Sequence, residues 1–382
     1  MMTHADPFRL DDIERWMFDD ALSLWIDAGQ DKRDLGFVER LTNTGQTDDA
    51  GFKRMRVQAR QIYVCSHAAL LGKQKEAALA AAENGFQFAT RNGWLKGGGW
   101  ANKLGPAGGV LDATLNLYEQ AFMLFALGWH LRVSGDHGAL DLAHRTLDAV
   151  YTQLGRDSGK GFRSDNTGHT GLDQNPHMHL LEAMLVLYEV SGDARFHDVA
   201  RNIIALVETC FFQADKGVLT EFFDADGQPM PGTHGRIVEP GHHFEWVWLL
   251  AEYRRVIGDD KSDLACRLFD FADARGIAPI TGLVFDGVLD DGTLHDGSHR
   301  LWCQTEALKA HLVMPLHGRP MNEMRVQQII GNILDRYLAT DPRGLWIDHL
   351  DADGHATSSS VPASTLYHLF LAFSEVRRVL RP

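Results

Sequence analysis

The chain has 382 residues, a formal net charge of -14 and 45% hydrophobic residues, values typical of globular proteins. The acidic balance argues against nucleic acid and anionic membrane surfaces as partners, because both attract basic proteins. We expect no transmembrane segment and no secretory signal from the hydropathy pattern. The four cysteines lack CxxC spacing, which favours a reducing compartment, the cytoplasm. Histidine is unusually frequent, with 19 residues, roughly twice average usage.

A pattern of two helices joined by a glycine turn repeats along the chain. Apolar stretches end at Gly72, Gly135, Gly192, Gly258 and Gly318, with separations of 63, 57, 66 and 60 residues. Glycine ends helices because it adopts the left-handed conformation without steric penalty, and an Asp after it can cap the next helix. Each repeat therefore predicts a pair of antiparallel helices.

The repeats predict twelve helices in two layers. The first helix of each pair is apolar on most sides and the second is amphipathic, as expected for inner and outer positions. Six inner and six outer helices indicate an all-α (α/α)6 barrel, a single catalytic domain over residues 1–382; a straight solenoid would not explain polar residues at matched depth. In chain order, the predicted helices are 9–28, 54–71, 74–91, 114–133, 137–154, 176–190, 194–212, 242–257, 261–275, 301–315, 321–339 and 362–379. Short β-ribbons are predicted in the loops 217–239 and 281–298.

Each predicted inner helix carries polar side chains near its N-terminal end, where its pattern calls for core. A buried charge without a partner costs several kcal/mol, so six such sites at one depth are better explained by a common cavity. The candidates are Arg60, Asp112, Tyr118, Glu119, Asn175, His177, His179, Glu182, His242, His243, Glu245, Trp302, Gln304, Glu306, Tyr367 and His368.

Two histidines in this set each have a glutamate three residues later on the same helix face. The pairs are His179 with Glu182 and His242 with Glu245. A carboxylate beside an imidazole orients it and raises its pKa, which suits a general acid or base. A single buried histidine is most often a packing residue, but these two together with His368 favour a function.

A metal centre is an alternative for the same segments. His177 with His179, and His242 with Glu245, have spacings that occur at zinc or iron sites. Residues two apart diverge on a helix, however, and no cysteine joins them at a suitable spacing. We therefore predict no metal ligands, and we leave the roles of His177 and His243 open.

Two segments carry a resemblance to a known family. They are Asn-x-x-Met-His-x-x-Glu-Ala at 175–183 and Pro-Gly-His-x-x-Glu-Trp at 240–246, supported by the segments 58–60, 302–307 and 367–368. Over residues 10–380 the chain resembles the N-acylglucosamine 2-epimerase superfamily, which includes mannose isomerases and cellobiose 2-epimerases. The resemblance implies an (α/α)6 barrel, no metal or other cofactor, and a catalytic set formed by Arg60, His179, His242, Glu245 and His368.

The reaction that the resemblance implies is proton transfer beside a sugar aldehyde. After ring opening, a histidine removes the C2 proton, and Arg60 stabilises the resulting enediolate. Return of the proton to C1 gives a ketose, and return to the opposite face of C2 gives the epimer. We assign His242 and His368 to these transfers, Glu245 to tuning His242, and His179 to ring opening or hydroxyl binding; which histidine acts first stays open. Sugar contacts are predicted for Asp112, Tyr118, Asn175, Glu182, Trp246, Trp302 and Glu306.

The predicted substrate is an unphosphorylated sugar, because the sequence has no arginine cluster suited to clamping a phosphate. Interconversion of mannose and fructose is favoured, and 2-epimerisation of N-acylglucosamine, mannose/glucose or cellobiose is the alternative. An (α/α)6 glycoside hydrolase needs two carboxylates but not three converging histidines, and a non-catalytic sugar-binding protein needs neither Arg60 nor the His–Glu pairs. We expect a monomer or homodimer.

Overall fold

The computed structural model describes residues 6–168 and 171–381, and twelve long helices dominate this part of the chain. Helix α1 covers 10–27, where a π-helical segment, Arg15–Ala21, joins two α-helical segments. The remaining helices are α2 (Met55–Leu70), α3 (Lys75–Asn92), α4 (Leu117–Ser134), α5 (His137–Leu154), α6 (Gln174–Ser191), α7 (Ala194–Leu206), α8 (Pro240–Ile257), α9 (Ser262–Arg275), α10 (Leu301–Val313), α11 (Glu323–Asn332) and α12 (Leu366–Leu380). The prediction of a mostly helical chain is confirmed.

The helices form two layers, and the contacts of the inner layer run in a circle. Helices α2, α4, α6, α8, α10 and α12 pack each against the next, and α12 contacts α2 again. Helices α3, α5, α7, α9 and α11 each pack outside the inner helix that precedes them, and α1 packs on α12. Burial agrees with this division, because α4 is buried on all sides over most of its length whereas α5 buries one face.

Short turns join each inner helix to the outer helix that follows it. The glycines at these turns, including Gly135 (φ 72°), Gly192 (φ 69°) and Gly258 (φ 86°), have the left-handed conformation expected of C-caps. The side chains of Asp136 and Asp193 accept hydrogen bonds from backbone N–H groups at the start of the next helix. All the long loops therefore lie at the other end, where the inner helices begin.

Two- and three-residue antiparallel strands occupy these long loops. The strands are β1 (Arg40–Thr42), β2 (Thr47–Asp48), β3 (Lys53–Arg54), β4 (Lys103–Leu104), β5 (Val110–Asp112), β6 (Leu172–Asp173), β7 (Phe212–Gln213), β8 (Val218–Leu219), β9 (Phe222–Phe223), β10 (Ile237–Val238), β11 (Gly287–Leu289), β12 (Leu294–Asp296), β13 (His299–Arg300), β14 (His349–Leu350) and β15 (Ser360–Pro362). Strands β11 and β12 form the hairpin predicted at 281–298. The hairpin predicted at 217–239 is present at its Asp226-Gly227 turn, where Phe223 pairs with Pro229 and the Met230 amide donates to the Phe222 carbonyl. The flanking strands of this stretch pair elsewhere, β8 with β7, β9 with β6 and β10 with β11.

The helices and the cysteines bear on the expectations about membranes and disulfides. Among residues 6–168 and 171–381, no helix is both long and apolar enough to cross a bilayer. All four cysteines are free thiols.

Candidate active site

Three of the predicted histidines lie in the first two turns of inner helices. They are His179 on α6, His242 on α8 and His368 on α12, each no more than 6% exposed. The imidazoles of His242 and His368 both contact Trp302, with ring centroids 5.0 and 5.7 Å apart. Tyr367 contacts both His368 (4.7 Å) and His179 (6.4 Å). The structure thus brings these histidines together at the end of the inner circle where the long loops lie.

His242 is bonded to a glutamate that comes from a loop. Its Nδ1–H donates to Glu221 Oε2 at 3.0 Å, and Gln174 Nε2 donates to the same oxygen at 2.7 Å. Burial lowers the pKa of His242, but the charges of Glu221 and Glu239 outweigh this effect and raise the pKa to about 9. His242 is therefore an imidazolium at neutral pH. Glu245, predicted to tune His242, is a lesser cause of this raised pKa, and its Oε1 lies 3.9 Å from His179 on α6.

His368 has the opposite protonation state. Its Nδ1–H donates to Glu306 Oε1 at 2.8 Å, and the other oxygen of Glu306 lies 2.6 Å from Lys309 Nζ. Burial, with the charges of Arg60 and Lys309, lowers the pKa of His368 well below its ordinary value. The neutral ring has its proton on Nδ1, which leaves Nε2 with a free lone pair.

His179 is neutral as well and belongs to the predicted His–Glu pair. Its Nδ1 lies 3.2 Å from Glu182 Oε2, and Tyr367 Oη donates to Glu182 at 2.6 Å. Burial lowers the pKa of His179 to about 4, against the opposing charge of Glu182. Glu245 Oε1 lies 3.9 Å from the same Nδ1. Burial and the charge of Glu306 raise the pKa of Glu245 well above its ordinary value, which favours the protonated form of this carboxyl.

Arg60 lies on α2 and is 6% exposed. Its Nη2 donates to Tyr118 Oη at 2.8 Å and its Nη1 to the Ser364 carbonyl at 3.2 Å. The guanidinium stacks 4.2 Å from the ring centroid of Phe122. Nε of Arg60 is a buried donor with no partner among the described residues, so the cation retains a hydrogen bond to offer.

Four of the residues predicted to contact the sugar are instead hydrogen-bonded to other groups of the protein. Trp246 is fully buried and donates to Gln174 Oε1 at 2.8 Å, so it fixes the amide beside His242. Glu182 and Glu306 are bonded to His179 and His368, as described above. Asp112, in β5, accepts from Asn102 and Thr114 in its own loop. By contrast, Tyr118, Trp302 and Asn175 remain partly exposed beside the histidines.

The two histidines left open by the sequence are packing residues. His177 Nδ1–H donates to the Asp173 carbonyl at 2.8 Å, and its Nε2 accepts from the Phe162 amide at 2.9 Å. His243 is bonded to backbone groups of Leu219 and Leu268. Burial lowers the pKa of both to about 4, which keeps them neutral.

Two groups of side chains among residues 6–168 and 171–381 have donor atoms close enough together to hold a metal ion: the exposed loop group Asp351, Asp353 and His355, and one group within the site. Glu245, Glu306 and His368 each offer a ligand atom, and these atoms lie within 4.8 Å of one another. The donors of Glu306 and His368 are bonded to each other, and the ammonium of Lys309 already pairs with Glu306. This arrangement fits an internal ion pair better than a divalent cation, which Lys309 would repel.

Comparison with known proteins decides the family. The family model described as N-acylglucosamine 2-epimerase (GlcNAc 2-epimerase) matches residues 36–372. The chain belongs to this family. It is 36% identical over 379 residues to a protein from Rhizobium meliloti (strain 1021) named mannose-6-phosphate isomerase, with 96% of each chain covered.

Solved structures show the same fold in other members of the N-acylglucosamine 2-epimerase family. Cellobiose 2-epimerase from Spirochaeta thermophila DSM 6192 matches with a TM-score of 0.86 at 24% identity, covering 100% of this chain and 99% of that one. A D-mannose isomerase matches with a TM-score of 0.84 at 21% identity, covering 96% and 97%. The resemblance seen in the sequence is confirmed, and the protein is a carbohydrate isomerase or epimerase.

The sequence prediction missed three buried side chains that support this site: Gln174, Glu221 and Lys309. Glu221 and Gln174 flank the predicted motifs but lie 21 and 68 residues from His242, so no helical spacing connects them. A usable signal existed for Lys309, because it lies one turn after Glu306 in a helix predicted to be an inner one.

Proposed function

We propose that the protein interconverts an unphosphorylated aldose and ketose, with mannose and fructose the favoured pair, by proton transfer through an enediolate. The observation that carries the proposal is the pair of imidazoles against Trp302. His368 is neutral with a free Nε2, and His242 is protonated. A base and an acid with separated pKa values are what this reaction needs at neutral pH.

The catalytic roles follow from these protonation states. His368 Nε2 takes the C2 proton of the open-chain aldose, and the electron pair of that bond passes to the C1 oxygen. Arg60 stabilises this oxyanion with a charge-assisted hydrogen bond in a site that excludes most water. Delivery of a proton to C1, with movement of a proton from O2 to O1, completes the ketose. His242 is the acid that supplies protons.

Ring opening precedes these steps and is assigned to His179. Opening requires a proton on the ring oxygen and removal of one from the C1 hydroxyl. Support comes from the neighbouring Glu182 and from Glu245, whose protonated form is favoured, because they give His179 both a proton acceptor and a proton donor within 4 Å. In this assignment the main role of Glu245 is in ring opening rather than in tuning His242.

The preference for a neutral sugar rests on the charges around the site. Arg56 is paired with Glu119, and Arg300 with Glu239 and Asp286. Cations that are already neutralised give a phosphate little to bind. The relative from Rhizobium meliloti supports mannose as the sugar, and its name makes mannose 6-phosphate the first phosphorylated compound to compare.

We further propose that the fold is an (α/α)6 barrel and that residues 1–382 form one catalytic domain. The circular contacts of the six inner helices support the barrel. The span of the family match, residues 36–372, supports the single domain.

Hydrolase and binding-only functions fit this site less well. A glycosidase needs two carboxyl groups free to face the scissile bond, whereas Glu182 and Glu306 are each bonded to a histidine. A protein that only binds sugar gains nothing from buried imidazoles with separated pKa values, which are costly to maintain.

Incubation in deuterated water with NMR detection tests the proposal. We expect mannose to yield fructose with deuterium at C1, faster than mannose 6-phosphate, cellobiose or N-acetylglucosamine reacts. The variants His242→Gln and His368→Gln should lose this exchange, and His197→Gln, on outer helix α7, should retain it. Glucose deuterated at C2 would assign the epimerase branch instead, and no exchange on any aldose would refute proton transfer.

A further inference from the structure

Lys309 is a fully buried lysine beside the site. It lies on α10 one turn after Glu306, and its side chain is 0% exposed. Lysine is almost never fully buried unless it is paired, because removing an ammonium from water costs several kcal/mol. None of the catalytic roles assigned above uses it.

The contacts of Lys309 place it behind Glu306 as seen from His368. Its Nζ lies 2.6 Å from Glu306 Oε2 and 4.0 Å from the ring centroid of Trp248. Trp248 lines a cavity of about 320 Å³ formed near the C-terminal ends of the inner helices, which is the end opposite the catalytic histidines. The bonded contact between Lys309 and His368 therefore runs through the carboxylate of Glu306, while the charge of Lys309 also acts on His368 across space.

The ammonium of Lys309 favours the ionised form of Glu306, although burial leaves the pKa of that carboxyl raised overall. Burial lowers the pKa of Lys309, but the surrounding carboxylates raise it above its ordinary value and keep it charged. Other ionisable groups face Lys309, Glu306 and His368 from the neighbouring helices. They are Arg60 on α2, His179 and Glu182 on α6, His242 and Glu245 on α8, and Tyr367 on α12.

The ionisation state of Glu306 decides which nitrogen of His368 carries the proton. An ionised carboxylate can only accept, so it holds the proton on Nδ1 and leaves Nε2 free. A protonated Glu306 would donate to Nδ1, and the imidazole proton would then be on Nε2. His368 in that tautomer has no lone pair directed at the sugar.

We propose that Lys309 is a positioning residue that keeps Glu306 ionised and thereby holds His368 in the tautomer with a free Nε2. The inference rests on the proposed function in one respect, namely that the free Nε2 of His368 acts as the base during turnover. The tautomer itself is a property of the protein without sugar and can be measured independently.

The variant Lys309→Met tests this, since methionine keeps the length and flexibility of the side chain without its charge. We expect kcat at pH 7 to fall by about 100-fold, the lower end of what a general base contributes, with KM changed less than threefold. Activity of the variant should rise about tenfold per pH unit as hydroxide ionises Glu306, a dependence that is absent from the wild type. In ¹⁵N-histidine spectra, His368 should change from Nδ1–H to Nε2–H.

Lys53 provides a matched control. It is also buried, pairs with Asp31 at 2.9 Å and lies 4.5 Å from the ring centroid of Phe88, but it is in β3 outside the site. Lys53→Met should lower the melting temperature while leaving the pH profile and the His368 spectrum unchanged. If Lys309→Met does not fold, Lys309→Gln, which can still donate to Glu306, should show the same spectral change.

A folded Lys309 variant with wild-type kcat, pH profile and His368 tautomer would overturn the proposal. So would a wild-type spectrum that shows His368 protonated on Nε2 at pH 7, which needs no variant at all. Failure of the proposed function has a different signature, namely no deuterium exchange on any aldose by the wild type while the tautomer still responds to Lys309.

Discussion

Burial alone would make every histidine of this site neutral, so the charge on His242 has to come from its partners. The Nδ1 of His242 contacts Glu221, and Glu239 lies 3.8 Å away. His368 has one carboxylate partner, but the charges of Arg60 and Lys309 oppose its protonation. Each unit of pKa separation corresponds to about 1.4 kcal/mol. The site thus uses one type of side chain, histidine, as both an acid (His242) and a base (His368).

This difference predicts the effect of Glu221→Gln on the pH dependence of catalysis. In the wild type, His242 has a pKa of about 9, so the proposed acid is protonated below that pH and kcat/KM should fall as pH rises through it. Removal of the nearest negative charge lowers the pKa of His242 and moves the alkaline limb to lower pH by at least one unit. The measurement is kcat/KM for the aldose from pH 6 to pH 10.

Glu239→Gln is the matched comparison for this prediction. Glu239 faces the same nitrogen of His242 at 3.8 Å rather than 3.0 Å, so its removal should shift the limb in the same direction by less. An alkaline limb at the same pH in wild type and Glu221→Gln would show that His242 is not the group that titrates.

At the residue scale, the sequence predicts side chains that are linked by helical periodicity and misses those that are not. The pair His179 and Glu182 could be predicted because a spacing of three places both on one face. The same rule does not find the carboxylate nearest to His242, which is Glu221 at 3.0 Å rather than Glu245. Glu221, the actual partner, is delivered by pairing of short loop strands, for which no periodicity in the chain gives the register.

At the scale of elements, the helices were predictable because their end signals are local. Gly135 and Gly192 end α4 and α6 as their sequences indicate, and Asp136 and Asp193 cap α5 and α7. The loop strands were predictable only where a tight turn joins the partners, as for β11 and β12. Strand β9 pairs with β6, roughly 50 residues earlier in the chain, which only the packed inner helices bring near.

The approach of α8 to α10 beside the site depends on a glycine. A Cβ added at Gly241 would lie 2.7 Å from the indole of Trp302 and 2.9 Å from Cys303 Sγ. Gly241→Ala therefore displaces Trp302, which contacts both His242 and His368. We expect kcat/KM to fall by roughly 10- to 100-fold, because ångström-scale misplacement costs about this much. Steady-state kinetics with the aldose provides the measurement.

Gly331→Ala is the control for this change. Gly331 lies on outer helix α11, where an added Cβ meets nothing within 4 Å. The substitution should leave kinetics unchanged and raise the free energy of unfolding by about 0.5–1 kcal/mol through helix propensity. Equal kinetic losses in both variants would mean that the contact with Trp302 is not responsible.

At the scale of the whole molecule, the inner circle of helices encloses more ionisable groups than an ordinary core. Arg60, Glu119, Glu245, Glu306 and Lys309 are all buried within it. Because unpaired buried charges are costly, each must be paired, as Lys309 is with Glu306, or neutralised. The folded state is therefore tied to one set of protonation states, and its stability must depend on pH.

The stability of the fold should be greatest near neutral pH and fall in both directions. His67, His177, His179 and His243 have folded pKa values lowered to about 3 or 4, and the pKa of His368 is lowered well below the unfolded value of about 6.5. Their contribution is complete above pH 6.5 and is lost as pH falls toward these folded values. His242 has its pKa raised to about 9, so its contribution is complete below pH 6.5 and is lost as pH rises through 9.

Urea unfolding at a series of pH values measures these contributions as slopes. Each neutral buried histidine adds about 1.4 kcal/mol per pH unit to the decline in the free energy of unfolding between pH 6.5 and 5. His243→Gln should reduce the acid slope by one proton, and His242→Gln should flatten the decline between pH 6.5 and 9, whatever either does to absolute stability. Because slopes count protons, an acid slope of His243→Gln equal to that of the wild type would contradict the assignment of His243 as a neutral packing residue.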